Sequence, residues 1–150
     1  MHRFSLFVPV LSTLLLVACK GPEPGETATL GDVCTAKFDP AADGTLKRVT
    51  VEGFLAIPEG MFLMCSDTCG LELRASPGDK KGLRINLRIG GGKNRMEKLP
   101  KKYSDSDLKV NTSDGNTVGV GAKIRVTGGR LGSEADNTCQ IYNVDLIQGA

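Results

Sequence analysis

No tryptophan occurs in these 150 residues, and the one histidine is His2. A fold that loses its first residues therefore has no imidazole, which excludes Ser-His and Cys-His nucleophile pairs and any histidine metal ligand. Single-stranded nucleic acid is held on aromatic platforms worth about 1–3 kcal/mol per stacked base. Here Phe38, Phe54, Phe62, Tyr103 and Tyr142 do not interleave with the basic residues, so nucleic acid is not an expected partner. No apolar run reaches the roughly 20 residues that cross a hydrocarbon core. Charge of one sign is scarce too, at a formal +2 for the whole sequence, so there is no global attraction to a polyanion.

The opening does carry a pattern. Met1-His2-Arg3 is a short positive start, and Phe4 to Val17 is a nearly continuous apolar run of about 14 residues, ending in small residues. A positive start, a short apolar core and a small-residue end read as a signal peptide, which is removed and stays out of the fold. At its end, Leu16-Val17-Ala18-Cys19 resembles the lipobox of bacterial lipoproteins at all four positions. The resemblance implies cleavage before Cys19, acylation of the Cys19 thiol and then of its amine, and anchoring to a membrane. Two or three acyl chains hold nearly permanently where one holds marginally, at about 0.8 kcal/mol per buried methylene. Lys20 follows, where enteric lipoproteins that stay in the inner membrane carry aspartate, so an outer-membrane destination is implied if the cell has two membranes. Residues 20 to 30 contain two prolines and two glycines and have little to bury, so they read as a tether. The expected division is a signal peptide over 1–18, a lipidated start and flexible tether over 19–33, and one domain over 34–150.

Without Cys19, four cysteines remain: Cys34, Cys65, Cys69 and Cys139. An even set in an oxidising compartment suggests two disulfides, with three possible pairings. Cys65 with Cys69 and Cys34 with Cys139 is the expected one. The alternative for Cys65-Ser66-Asp67-Thr68-Cys69 is a metal or redox site, but its spacing is one residue longer than Cys-x-x-Cys.

Period-two alternation dominates the domain. Val49, Val51, Leu55 and Ile57 share one face, with Thr50 and Glu52 on the other and Gly53 where a barrel strand would bend. Leu71 and Leu73 alternate with Glu72 and Arg74, after a less definite stretch from Met61 to Met64. Leu83, Ile85, Leu87 and Ile89 alternate with Arg84, Asn86 and Arg88. Residues 93 to 99 suit a short helix, with Met96 and Leu99 at i and i+3 and Pro100 as its stop. Asp114-Gly115 signals a turn, Val118 to Thr127 a strand that Gly128-Gly129 ends, and Cys139 to Ile147 a last strand of undecided facing. The order is three strands, a short helix, then two strands: mainly β with one short helix. It resembles the five-stranded oligonucleotide/oligosaccharide-binding (OB) barrel. The residues carrying the resemblance are Val49-Thr50-Val51-Glu52-Gly53-Phe54 and Val120-Gly121-Ala122-Lys123-Ile124-Arg125-Val126-Thr127-Gly128. A small β-sandwich is the alternative.

Motifs that would carry catalysis fail on inspection. Gly90-Gly91-Gly92-Lys93 lacks the Ser/Thr of a phosphate loop, with Asn94 there instead, and Leu87 stands at its first glycine. Asp105-Ser106-Asp107 starts like a calcium loop, but Lys109 occupies the next ligand position. No catalytic residue, metal ligand or cofactor is expected. Between Lys80 and Lys102, however, nine basic residues face one acid, Glu97. Arg84 and Arg88, with Arg74 on the neighbouring strand and Lys93 and Arg95 beyond, are the candidate ligand-binding set. They lie where the OB resemblance implies a binding face, and arginine suits carboxylates and phosphates. The expected function is a non-catalytic binding module, anchored to the cell envelope, for an anionic lipid, a saccharide or an acidic protein. A purely structural assembly lipoprotein is the alternative, and a histidine-independent enzyme the third.

Overall fold

The computed structural model describes residues 21–60, 63 and 65–150. Residues 1–20, Met61, Phe62 and Met64 lie outside the described residues, and so do the expectations of cleavage before Cys19 and of its lipidation. Among the described residues nine strands are present: β1 (Glu26–Ala28), β2 (Lys47–Ala56), β3 (Thr68–Arg74), β4 (Leu83–Arg88), β5 (Arg95–Met96), β6 (Val110–Asn111), β7 (Thr117–Val118), β8 (Lys123–Leu131) and β9 (Gln140–Gly149). The five long ones close into a barrel in the order β2-β3-β4-β9-β8, with β8 returning to β2. The mainly β fold expected from the alternation is observed, and the closed five-stranded barrel is consistent with the OB resemblance.

Each long strand turns its aliphatic residues inward. Val49, Val51 and Leu55 of β2 meet Leu71 and Leu73 of β3, Leu83, Ile85 and Leu87 of β4, Ile124 and Val126 of β8, and Ile141, Val144 and Ile147 of β9. Gly53 does not break β2. It stays paired with Ile124, and a β-carbon there would stand about 3.1 Å from both Leu30 and Leu73, so glycine is what the crowded interior accepts. The facing of β9, undecided from sequence, follows from a bulge. Asn143 takes φ +50°, and the β8 partner jumps from Leu146, opposite Thr127, to Tyr142, opposite Gly129. Ile141, Val144 and Ile147 go inside while Tyr142 is left exposed.

Three expectations are corrected. The fold begins before residue 34: β1 pairs in parallel with Val49–Val51 of β2, and Val33 is fully buried, so the later part of the expected tether belongs to the barrel. The helix expected over 93–99 is absent. Arg95 and Met96 instead pair with Asn111 and Val110, and the helical content described is two 3-10 turns, Ala36–Phe38 and Asp105–Asp107. Met96 is buried by that strand pairing rather than by an i,i+3 contact with Leu99. Lastly, Gly128-Gly129 does not end β8, which runs on to Leu131 because Gly129 and Arg130 still pair with Tyr142 and Ile141.

The amino-terminal segment plugs one end of the barrel. Phe38 and Val33 are fully buried there, and Cys34 is joined to Cys139 of the segment entering β9, with Cα atoms 5.5 Å apart. Cys65 is joined to Cys69 at the start of β3. The pairing is the one expected.

Candidate functional site

The excursion between β4 and β8 builds a small sheet, β5-β6-β7, that continues the barrel wall. Its link is a parallel bridge between Ile89 and Met96, with the Gly90 N–H donating to the Met96 carbonyl at 3.0 Å. Ile89 and Met96 turn toward the core, so the residues just before each, Arg88 and Arg95, face outward side by side. The side chain of Arg95 lies over Gly90: a β-carbon on Gly90 would be 3.1 Å from one of its guanidinium nitrogens, and Gly90 itself holds φ +146°.

Register extends this pair into a row. Thr68 of β3 is opposite Arg88, Arg95 is opposite Asn111 of β6, and Asn111 is opposite Thr117 of β7. With neighbouring strands about 4.8 Å apart, the row Thr68, Arg88, Arg95, Asn111, Thr117 spans about 19 Å across five strands. It contains hydroxyls, guanidiniums and a carboxamide, and no carboxylate. The Thr117 hydroxyl donates to Asn111 Oδ1 at 2.8 Å, which leaves the Asn111 amide nitrogen as a donor beside Arg95.

The other described arginines are engaged. Arg48 meets Asp145, Arg125 meets Glu52, and the fully buried Arg130 meets Asp39. Arg74 is only 8% exposed and is occupied by Glu72 and by the Ile57 carbonyl. Arg84 lies directly opposite Glu72 and lines a shallow groove of about 480 Å³ with Leu131, Gly132, Thr138, Cys139 and Gln140. Arg88 and Arg95 are exposed, and among the described residues the side chain of neither makes a hydrogen bond or ion pair. Like charges on neighbouring strand positions oppose folding by some tenths of a kcal/mol, so the fold carries this pair at a cost.

The five candidate residues thus separate. Arg88 and Arg95 are together. Arg74 and Arg84 lie toward the other end of β3 and β4, Arg84 about 13 Å along its strand from Arg88. Lys93 reaches toward the Asp114-Gly115 turn, its Cε 3.9 Å from where a β-carbon on Gly115 would be. There Asp114 is held below the ordinary carboxylate range, first by the Thr112 hydroxyl and then by the Asn116 N–H. Glu52, on β2, is lowered by hydrogen bonds from Lys123 and Arg125. Thr68, Asn111 and Thr117 were missed in the sequence. For Asn111 and Thr117 the signal was the Asp114-Gly115 turn, whose flanks form the β6-β7 hairpin; Thr68 is set opposite Arg88 only by the β3-β4 register. Among the described residues no three metal-ligating side chains cluster.

Asn94 fixes this geometry. It adopts φ +57°, and its Oδ1 accepts the Ile147 N–H at 2.8 Å, tying the loop that carries Lys93 and Arg95 to β9. Asn94→Ala should cost about 2–3 kcal/mol, combining a partly buried N–H left unsatisfied with a left-handed backbone that alanine resists. Asn94→Gly, which removes the bond but accepts the backbone, should cost about 1 kcal/mol. Urea midpoints of the two variants test the division.

No known protein family, curated protein or solved structure matches this chain. The functional reading therefore rests on the residues themselves.

Proposed function

We propose that the chain is a cell-envelope lipoprotein, anchored through Cys19, whose OB-like barrel is a non-catalytic module that binds an anionic ligand or an acidic protein partner. The observation that carries the binding half is the pair Arg88 and Arg95: neighbours in register, exposed, unneutralised, and set in a row of donors. A purely structural surface has no reason to keep two guanidiniums adjacent while each of the other described arginines faces a carboxylate. The anchoring half rests on the Leu16-Val17-Ala18-Cys19 lipobox.

Retention on immobilised dextran sulfate tests the surface. The Arg88→Glu, Arg95→Glu double variant should elute at markedly lower salt than the parent, whereas Lys80→Glu, Lys81→Glu, two residues in the β3-β4 turn, should shift elution far less. Equal shifts would mean diffuse basic charge and would remove the Arg88–Arg95 site. Metabolic labelling with a radioactive fatty acid, abolished in Cys19→Ser, checks the anchor.

A further inference from the structure

Resting on that anion-binding reading, we infer that the Arg88–Arg95 pair is a site for one doubly negative group, a phosphomonoester, gripped from two sides at the middle of the donor row. Two planar forks on neighbouring strands present donors from two directions. A carboxylate has two oxygens and one charge, enough to satisfy one fork. A phosphomonoester has three terminal oxygens and, above its second pKa near 6, close to two charges. It satisfies both forks at once and cancels the repulsion between them.

The neighbours fit the same group. Thr68 contributes a hydroxyl on one side and Asn111, on the other, an amide nitrogen with no partner among the described residues, so the flanks of the pair are neutral donors. The charged residues nearest in sequence along these strands are Asp67, Lys93, Glu97 and Lys109, and among the described residues neither acid is in an ion pair. Gly90 is where the site is shaped. A side chain there would occupy the surface over which Arg95 lies, so Gly90→Ala should displace that guanidinium as well as strain a backbone at φ +146°.

The ligand, not the protein, then sets the pH dependence. Histidine is the side chain that ordinarily titrates near pH 6, and the sequence contains only His2, in its leader.

Calorimetric titration of the full chain in detergent, with phenyl phosphate, diphenyl phosphate and benzoate as probes, tests this. Phenyl phosphate should bind at least tenfold more tightly than the singly charged pair, with affinity rising through a midpoint near pH 6. Arg88→Gln and Arg95→Gln should each weaken it at least tenfold, with urea midpoints unchanged to show that the fold is intact. If all three probes bind alike and the variants weaken all three, the site takes any anion and the phosphomonoester assignment is wrong, while the anion-binding reading survives. If the variants bind every probe as the parent does, both are wrong. Competition then locates the source: displacement by glucose 1-phosphate points to a sugar-borne group, and displacement only by phosphatidic acid vesicles to a lipid-borne one. Displacement by neither overturns the assignment.

Discussion

Arg130→Met is expected to remove about 3–5 kcal/mol of stability, the range for breaking a buried ion pair from one side. Arg130 is fully buried, and its guanidinium lies 3.0 Å from Asp39. The same group donates to the carbonyls of Val33, Cys34 and Gly132. It therefore gathers the amino-terminal segment, the end of β8 and the segment that leads into β9. Methionine keeps much of the stem and none of the donors, so it leaves the Asp39 carboxylate without its counter-charge, with only the Glu134 N–H among the described residues, and three carbonyls without the guanidinium. Against the 5–15 kcal/mol that holds a domain of this size, that loss is a large share. Adding Asp39→Asn should recover part of it, because the uncompensated charge is then gone. A urea midpoint in Arg130→Met that reports less than about 1 kcal/mol would mean that the guanidinium is not the keystone of this end of the barrel.

Removing the Cys34–Cys139 bridge with paired serines is the other large effect. The two cysteines are 105 residues apart, and the chain-entropy model assigns a loop of that length about 4–5 kcal/mol. Cys65 and Cys69 are four apart, and the same model assigns their bridge about 2 kcal/mol. Paired urea curves should therefore show the long bridge costing about twice the short one. The long bridge and Arg130 should also fail additivity, because the Cys34 carbonyl is one of the acceptors of Arg130. A double variant that loses the plain sum would separate the two supports.

The barrel was legible because alternation is a local signal. In β3 and β4 each inward aliphatic residue follows the last by two, β2 keeps the same phase across Gly53, and no partner strand is needed to see it. What escaped depends on partners far away in sequence. Arg130 lay beyond the expected glycine break, and only Val33, Cys34 and Asp39, about 90 to 100 residues earlier, show it to be a buried anchor. Met96 fitted a helical i,i+3 pair as well as a strand, since a two-residue strand has too few residues to display a period. The candidate site was half visible for the same reason. Basic composition pointed at the right stretch, but that Arg88 and Arg95 meet is a fact of register, and that Arg74 is buried and donates to the Ile57 carbonyl is a fact of packing.

The two bridges also bear on how the chain is put together. Cys34 precedes its partner by most of the domain, so as the chain emerges amino end first it meets Cys65 and Cys69 well before Cys139 exists. Residues 26–39 cannot shelter it meanwhile, because their partners lie on β2 and near β8 and β9. A bond formed in order of appearance would join Cys34 to the wrong thiol. Closing Cys65 onto Cys69, four residues away, withdraws both competitors early and leaves Cys139 as the single partner among the described cysteines for Cys34 to wait for. In that view the short bridge serves as a chaperone for the long one: an oxidative refolding of Cys65→Ser, Cys69→Ser should reach the Cys34–Cys139 bond unaided, whereas Cys65→Ser alone, with Cys69 left unpaired, should accumulate mispaired chains.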